Sequence, residues 1–198
     1  GRSDSDGAEV FVVELDRVGQ PGAGRLVYAN EQFATAGALS VDERLVAIAH
    51  SEHGDAQKPA VRVLQLSADG GEPTAVADLW DGHGRGVWPI AFSPRAGSTE
   101  LLVVHERHGR SQPLIWDPVA GTEREIDPPM SGETRAWWYP SGEALLVLNQ
   151  YRARSELYRI DLDTAVATLL PTPRGAIDDA EPRPDGTVDY LWSSATAA

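Results

Sequence analysis

The chain has 198 residues, with 30 acidic and 17 basic side chains, a formal net charge of -13 and no cysteine. The surplus of carboxylates argues against a nucleic-acid partner, because phosphate recognition needs clustered Lys and Arg. The lack of cysteine excludes disulfides and thiolate chemistry. No apolar run approaches the roughly 20 residues of a membrane span, so we expect no membrane partner.

Strand signals begin near the amino end of the chain. Residues 9–15 and 25–29 are rich in apolar and β-branched side chains, and residues 19–22 between them contain two Gly and one Pro. This pattern predicts that the first 30 residues form the outer two strands of a sheet.

Three fuller units follow, and each contains four predicted strands. The innermost strands are predicted at 36–39, 87–92 and 134–139, the second strands at 45–49, 101–105 and 144–149, and the third strands at 61–66, 113–116 and 156–162. The second strands are apolar on both faces, so we expect other sheets to cover them on both sides. The third strands alternate more, which predicts that they lie nearer water. Because Pro or Gly interrupts every helical period, we expect almost no helix.

Two short sequence patterns recur along the chain at matching intervals. A turn phrase at residues 40–43, 93–97, 139–142 and 183–186 recurs at intervals of 53, 46 and 44 residues, measured at its second position, at Val41, Pro94, Pro140 and Pro184. A hydrophobic residue followed by a polar one recurs at intervals of 51, 50 and 46 residues, at Leu15, Leu66, Trp116 and Leu162. The offset from the first pattern to the second is 22 residues in two units and 25 in another. A period of about 40 to 50 residues that contains only strand signals predicts a β-propeller.

We therefore predict an all-β fold, a β-propeller with about four and a half four-stranded blades. The predicted blade fragments are 1–30, 31–80, 81–128, 129–172 and 173–198. A ring of seven blades needs about 300 residues, so we expect these residues to be a piece of a longer polypeptide with an incomplete ring. The alternative is a two-sheet sandwich, which shares short strands but does not require two patterns at a constant offset.

Two His-x-x-His pairs, His50 with His53 and His105 with His108, occupy the same position in successive units. Short His spacings occur in zinc sites. These pairs follow predicted strands and lie on no helix, so hairpin tips account for them. The sequence therefore predicts no metal site, and it gives no sign of a cofactor.

Four segments carry a resemblance to a known family: VWPIAFSP (87–94), YPSGEALLV (139–147), SELYRIDL (155–162) and EPRPDG (181–186). The chain resembles the N-terminal propeller of the prolyl oligopeptidase family of serine peptidases. In style it is similar to acylaminoacyl-peptidase-like and aminopeptidase-like members, including puromycin-hydrolase-type enzymes of actinobacteria. Val41 departs from the family pattern, which has Pro at this position.

The resemblance implies a cytoplasmic hydrolase whose Ser-His-Asp triad lies on an α/β-hydrolase domain outside these residues, so no catalytic residue is expected here. The propeller would admit and position short peptides or aminoacyl amides. The loops at one end of the blades, including residues 128–133, would face the substrate cavity. The predicted substrate contacts are Trp80, His83, Arg85, Glu106, Arg107 and Arg152. The alternative is a non-enzymatic binding or scaffold propeller of the Tol type or the WD-repeat-like type.

Overall fold

The computed structural model describes residues 2–4, 7–15, 18–126 and 132–194. These residues form 17 strands and no helix, so no helix in this part of the chain is long and apolar enough to cross a membrane. The strands are β1 Arg2–Asp4, β2 Gly7–Leu15, β3 Pro21–Asn30, β4 Ala34–Leu39, β5 Leu45–His50, β6 Ala60–Gln65, β7 Thr74–Leu79, β8 Val87–Phe92, β9 Leu101–His105, β10 Gln112–Asp117, β11 Thr122–Glu125, β12 Glu133–Trp138, β13 Ala144–Tyr151, β14 Arg154–Asp161, β15 Ala167–Leu169, β16 Ala176–Pro182 and β17 Val188–Ser193.

The strands form five antiparallel sheets in chain order. Within each sheet, every strand pairs with the next strand along the chain. Sheet 1 contains β1 to β3, sheet 2 contains β4 to β7, sheet 3 contains β8 to β11, sheet 4 contains β12 to β15, and sheet 5 contains β16 and β17. This succession of four-stranded meanders is the architecture of propeller blades. The all-β propeller prediction is confirmed, and a two-sheet sandwich is excluded.

The core consists of four apolar clusters, one between each pair of consecutive sheets. Successive side chains of β9 alternate between two of them: Leu101 and Val103 pack against sheet 2, whereas Leu102 packs against sheet 4. In the same way Leu145 of β13 packs toward sheet 3 and Leu146 toward sheet 5. The predicted coverage of the second strands on both faces is therefore confirmed.

The expected exposure of the third strands is wrong for two of the three sheets. Strand β10 is buried from Gln112 to Trp116, and β6 is buried except at Arg62 and Gln65. Neighbouring sheets cover these strands on both faces, since Leu114 packs toward sheet 2 and Ile115 toward sheet 4. Only β14 shows the alternating exposure that the sequence pattern predicts.

The recurring turn phrase has a backbone cause. Its last residue adopts a positive φ in all four copies, at Glu43 (59°), Gly97 (76°), Gly142 (70°) and Gly186 (87°). Glycine has no Cβ to clash in this left-handed region, whereas other residues are strained there. The first copy, which has Val41 in place of the usual Pro, therefore also has Glu43 in place of the usual Gly.

We expect the substitution Glu43→Gly to stabilise the protein by about 0.5 to 1 kcal/mol, because it removes the left-handed strain at a small cost in chain entropy. Urea unfolding of the two proteins measures the difference. Gly97→Glu is the reciprocal control: an added Cβ meets no atom within 4 Å, so only the φ of 76° opposes it, and we expect a loss of about 1 kcal/mol. Equal midpoints for all three proteins would contradict the explanation.

Candidate functional site

The loops that follow β5, β7 and β9 meet at one end of the blades, which we call the histidine end. Lys58 of the first loop forms an ion pair with Glu106 of the third at 2.6 Å. Glu106 also accepts the backbone N–H of Gly86 in the second loop at 3.0 Å. These contacts join sheets 2 and 3 at this end. The histidine end consists of residues 51–59, 80–86 and 106–111, together with the strand ends that carry them.

Two imidazoles and one carboxylate converge at the histidine end of sheet 2. The Nε2 atoms of His50 and His53 lie 3.8 Å and 3.9 Å from Oδ2 of Asp78. His50 is the last residue of β5 and is fully buried. Both Nε2 atoms are shielded from solvent and have no hydrogen-bond partner. A buried polar atom without a partner is costly, so this cluster is a candidate ligand site.

Strand register places Asp78 at this point. Arg62 of β6 stands opposite Asp78 of β7, and its guanidinium donates to both carboxylate oxygens at 2.7 Å. The same guanidinium forms an ion pair with Glu52 at 2.6 Å, and Tyr28 of sheet 1 donates a hydrogen bond to Glu52. Asp78 is therefore held in place with Oδ2 toward the imidazoles.

The protonation states follow from burial and pairing. Burial is the main cause that lowers the pKa of His50, so this imidazole is neutral at pH 7. Burial and the hydrogen bond to Glu52 raise the pKa of Tyr28, so its hydroxyl stays protonated. The hydrogen bond to Asp78 raises the pKa of Arg62 despite partial burial. Two carboxylates, those of Glu52 and Asp78, flank one guanidinium, so the cluster has an excess of acidic groups.

An aromatic surface adjoins this cluster. Trp80, which is 39% exposed, stacks on the ring of His53 with a centroid distance of 4.4 Å and an angle of 13°. The ring of His83 lies nearly perpendicular to the indole, with a centroid distance of 5.2 Å. A partly exposed indole beside a carboxylate cluster offers a ring face to a cation or to another ring.

The second histidine pair lies in a differently bonded cluster on sheet 3. The guanidinium of Arg107 contacts Asp81 at 2.8 Å, Glu123 at 2.7 Å and Glu125 at 3.2 Å. The Nε2 atom of His108 lies 2.9 Å from Glu125. Arg107 thus forms ion pairs with one carboxylate in the loop between β7 and β8 and with two carboxylates of β11. These ion pairs connect the end of sheet 2 with sheet 3.

The predicted contact residues have different environments. Trp80 and His83 lie together beside His53, and Arg85 is exposed on the same loop. Glu106 is engaged by Lys58 and by a backbone N–H.

The guanidinium of Arg107 lies among three carboxylates, and its side chain is 21% exposed. Arg152 lies in the turn between β13 and β14, with its guanidinium 5.0 Å from the ring of Tyr151. The loop predicted at 128–133 falls partly outside the described residues, which omit 127–131.

Sequence reasoning missed the site formed by His50, Asp78 and Arg62. The hairpin-tip interpretation is wrong for the first histidine of each pair, because His50 and His105 are the buried last residues of β5 and β9. The available signal was the matching position of the two pairs at the ends of apolar strands. Asp78 carried no signal, since it belongs to no motif and reaches the site only through strand pairing.

No family model matches the chain, and no curated protein sequence matches it significantly. Several solved structures are similar. TolB from Acinetobacter baumannii matches with a TM-score of 0.64 and 18% identity, over 93% of this chain and 43% of that one. Prolyl oligopeptidase B from Galerina marginata matches with a TM-score of 0.60 and 16% identity, over 93% and 26%. A puromycin-hydrolyzing peptidase from Mycobacterium tuberculosis matches with a TM-score of 0.56 and 19% identity, over 83% and 24%.

These similarities show the propeller fold. The chain spans less than half the length of each of these three proteins.

We expect Arg107→Met to destabilise the protein by about 2 kcal/mol, because the side chain of Asp81, which is 4% exposed, loses its partner. The matched control Arg85→Met removes an exposed guanidinium and should change the free energy of unfolding by less than about 0.5 kcal/mol. Urea unfolding at pH 7 measures both changes.

The effect of Arg107→Met should depend on pH. The hydrogen bond from His108, together with that from Arg107, holds the pKa of Glu125 below its ordinary value of 4.5. The stabilisation that Arg107 gains from Glu125 is therefore present above pH 4.5, and it is lost as the pH falls through the lowered pKa of Glu125. A difference between the two proteins that stays constant into this acid range would contradict the electrostatic explanation.

Proposed function

We propose that this chain is the non-catalytic propeller part of a serine peptidase or amidohydrolase that acts on short peptides or aminoacyl amides. The observation that carries the proposal is the histidine end, an acidic and aromatic surface at one end of the blades. The fold supports it, because the same fold occurs in prolyl oligopeptidase B and in a puromycin-hydrolyzing peptidase. A cytoplasmic location is part of the proposal.

The chemistry of the histidine end suits the amino end of a peptide. Glu52 and Asp78 leave one negative charge uncompensated beside the partly exposed indole of Trp80. An ammonium group is attracted both by this charge and by the indole ring. The net charge of -13 raises the local concentration of cationic substrates around the whole chain.

The proposed partner is an α/β-hydrolase domain of the same polypeptide. Its serine would attack the amide carbonyl, with a histidine as general base and an aspartate that orients the histidine. The propeller contributes selection by size and by charge, since a substrate has to reach the buried serine past the loops of the blades. Of the six contact residues predicted from the sequence, Trp80 and His83 lie at the centre of this proposal, and Arg107 acts as a support.

The second candidate function is a non-enzymatic binding or scaffold propeller. One observation favours it: the match to TolB has a higher TM-score, 0.64, than the matches to the two peptidases at 0.60 and 0.56. Such a protein would use the same surface to bind a partner protein and would have no attached hydrolase.

A fluorophosphonate probe distinguishes the two candidates, because it reacts covalently with the activated serine of a serine hydrolase. We expect the intact polypeptide that carries this chain to be labelled at one serine outside the 198 residues, and to hydrolyse aminoacyl amides. Heat-denatured protein is the control for non-specific labelling. Folded protein that is neither labelled nor active would exclude the peptidase proposal and favour the scaffold.

We expect Trp80→Ala to lower kcat/KM for aminoacyl amides about fivefold, mainly through a higher KM, because loss of an aromatic contact costs about 1 kcal/mol of binding. Leu169→Ala is the control, since Leu169 is an exposed residue of β15 in sheet 4. Steady-state kinetics on the intact enzyme measures both. Unchanged kinetics in Trp80→Ala would remove the assigned role of the histidine end in substrate binding.

A further inference from the structure

We propose that His50, His53 and Asp78 form a binding site for a divalent first-row transition-metal ion, which the function proposed above does not require. Two imidazole nitrogens and one carboxylate oxygen are a donor set that such ions accept, with further positions left for water or a ligand. Among the described residues, this is the one group of three potential ligands whose donor atoms all lie within 4.8 Å of one another.

The donor atoms are close to coordinating positions. In a tetrahedral site with bonds of about 2.0 Å, two donor atoms lie about 3.3 Å apart. Here the two imidazole nitrogens lie 3.8 Å and 3.9 Å from Oδ2 of Asp78. His53 is 34% exposed and sits on a loop, so a small movement of this residue shortens its own distance to Asp78.

Two observations indicate that the group is built for a ligand. The Nε2 atom of His50 is fully buried and that of His53 is shielded from solvent, yet neither makes a hydrogen bond. Native proteins pair nearly all buried polar atoms, so two adjacent exceptions aimed at one carboxylate require an explanation. A metal ion between the three groups would satisfy both nitrogens at once.

The charges around the group favour a cation. Glu52 and Asp78 together exceed the single charge of Arg62, and a cation compensates the excess. Arg62 also fixes the orientation of Asp78, which is the usual task of a residue that supports a metal ligand.

Coordination through Nε2 has a definite cost at His50. Its Nδ1 atom accepts the backbone N–H of Glu52 at 3.3 Å, so in this state the proton of the neutral ring is on Nε2. Metal binding moves that proton to Nδ1, which removes this long hydrogen bond and sets the ring N–H against the backbone N–H of Glu52, so the Glu52 backbone has to shift. The ring gains and loses no net proton in the exchange.

The second histidine pair provides an internal control. His105 and His108 occupy the same position on sheet 3, with ring centroids 5.9 Å apart, against 5.6 Å for the first pair. There, however, Nε2 of His108 is bonded to Glu125 at 2.9 Å. No third donor converges with this pair among the described residues. The proposal therefore assigns metal binding to the first pair alone.

The experiment is a titration of the intact, chelator-treated protein with Zn²⁺ in a calorimeter and with Co²⁺ by visible absorption. We expect one metal site in the wild-type protein. His53→Ala should lower its affinity at least about tenfold, because changing even a residue that only supports a metal ligand has an effect of this size. The control His108→Ala should bind with unchanged affinity. Asp78→Asn is the second variant, because it keeps the shape of the side chain while weakening the oxygen donor.

X-ray absorption at the zinc edge reports the ligands independently of affinity. We expect scattering from two imidazole rings in the wild-type protein and from one ring in His53→Ala. Three results would overturn the proposal: no binding to the folded wild-type protein, equal affinity in wild type and His53→Ala, or the same loss of affinity in His108→Ala. None of these measurements uses a peptidase substrate, so their outcome is independent of the function proposed above.

Discussion

Burial of the central strands on both faces is the constraint on which the rest of the structure depends. A strand such as β9, with Leu101 and Val103 on one face and Leu102 on the other, has no face that tolerates water. It is stable only between two other sheets, and this need fixes the stacking of consecutive meanders. Stacking in turn brings the strand ends, and the loops between them, together at the two ends of the blades.

The same constraint creates the polar clusters at the histidine end. Because β5 and β9 remain buried to their last residue, His50 and His105 are buried with the apolar side chains before them. A buried imidazole is kept neutral by desolvation, which lowers the pKa of both histidines. The repeat thus supplies two equivalent neutral histidines, and the residues around each one decide its chemistry.

The sequence was sufficient for the features that depend on local pattern. The turn phrase predicted hairpins between the first and second strands of a sheet, and Gly97, Gly142 and Gly186 adopt a left-handed backbone at these hairpins. The features that depend on pairing between strands and on packing between sheets could not be predicted from the sequence. Asp78 reaches His50 through its register opposite Arg62, and the burial of β10 depends on two sheets that flank it. Neither relation leaves a periodic signal in one strand.

The loop between β7 and β8 connects the two polar clusters of the histidine end. Its Trp80 stacks backward on His53 of sheet 2, whereas the neighbouring Asp81 pairs forward with Arg107 of sheet 3. The ion pair between Asp81 and Arg107 fixes the loop, and the fixed loop holds the indole of Trp80 against the imidazole of His53. Arg107 contacts three carboxylates, so it acts as the anchor of this loop, whereas the Nε2 atoms of His50 and His53 have no hydrogen-bond partner. The chemistry of the histidine end is therefore concentrated on sheet 2, because the corresponding position on sheet 3 is occupied by structural ion pairs.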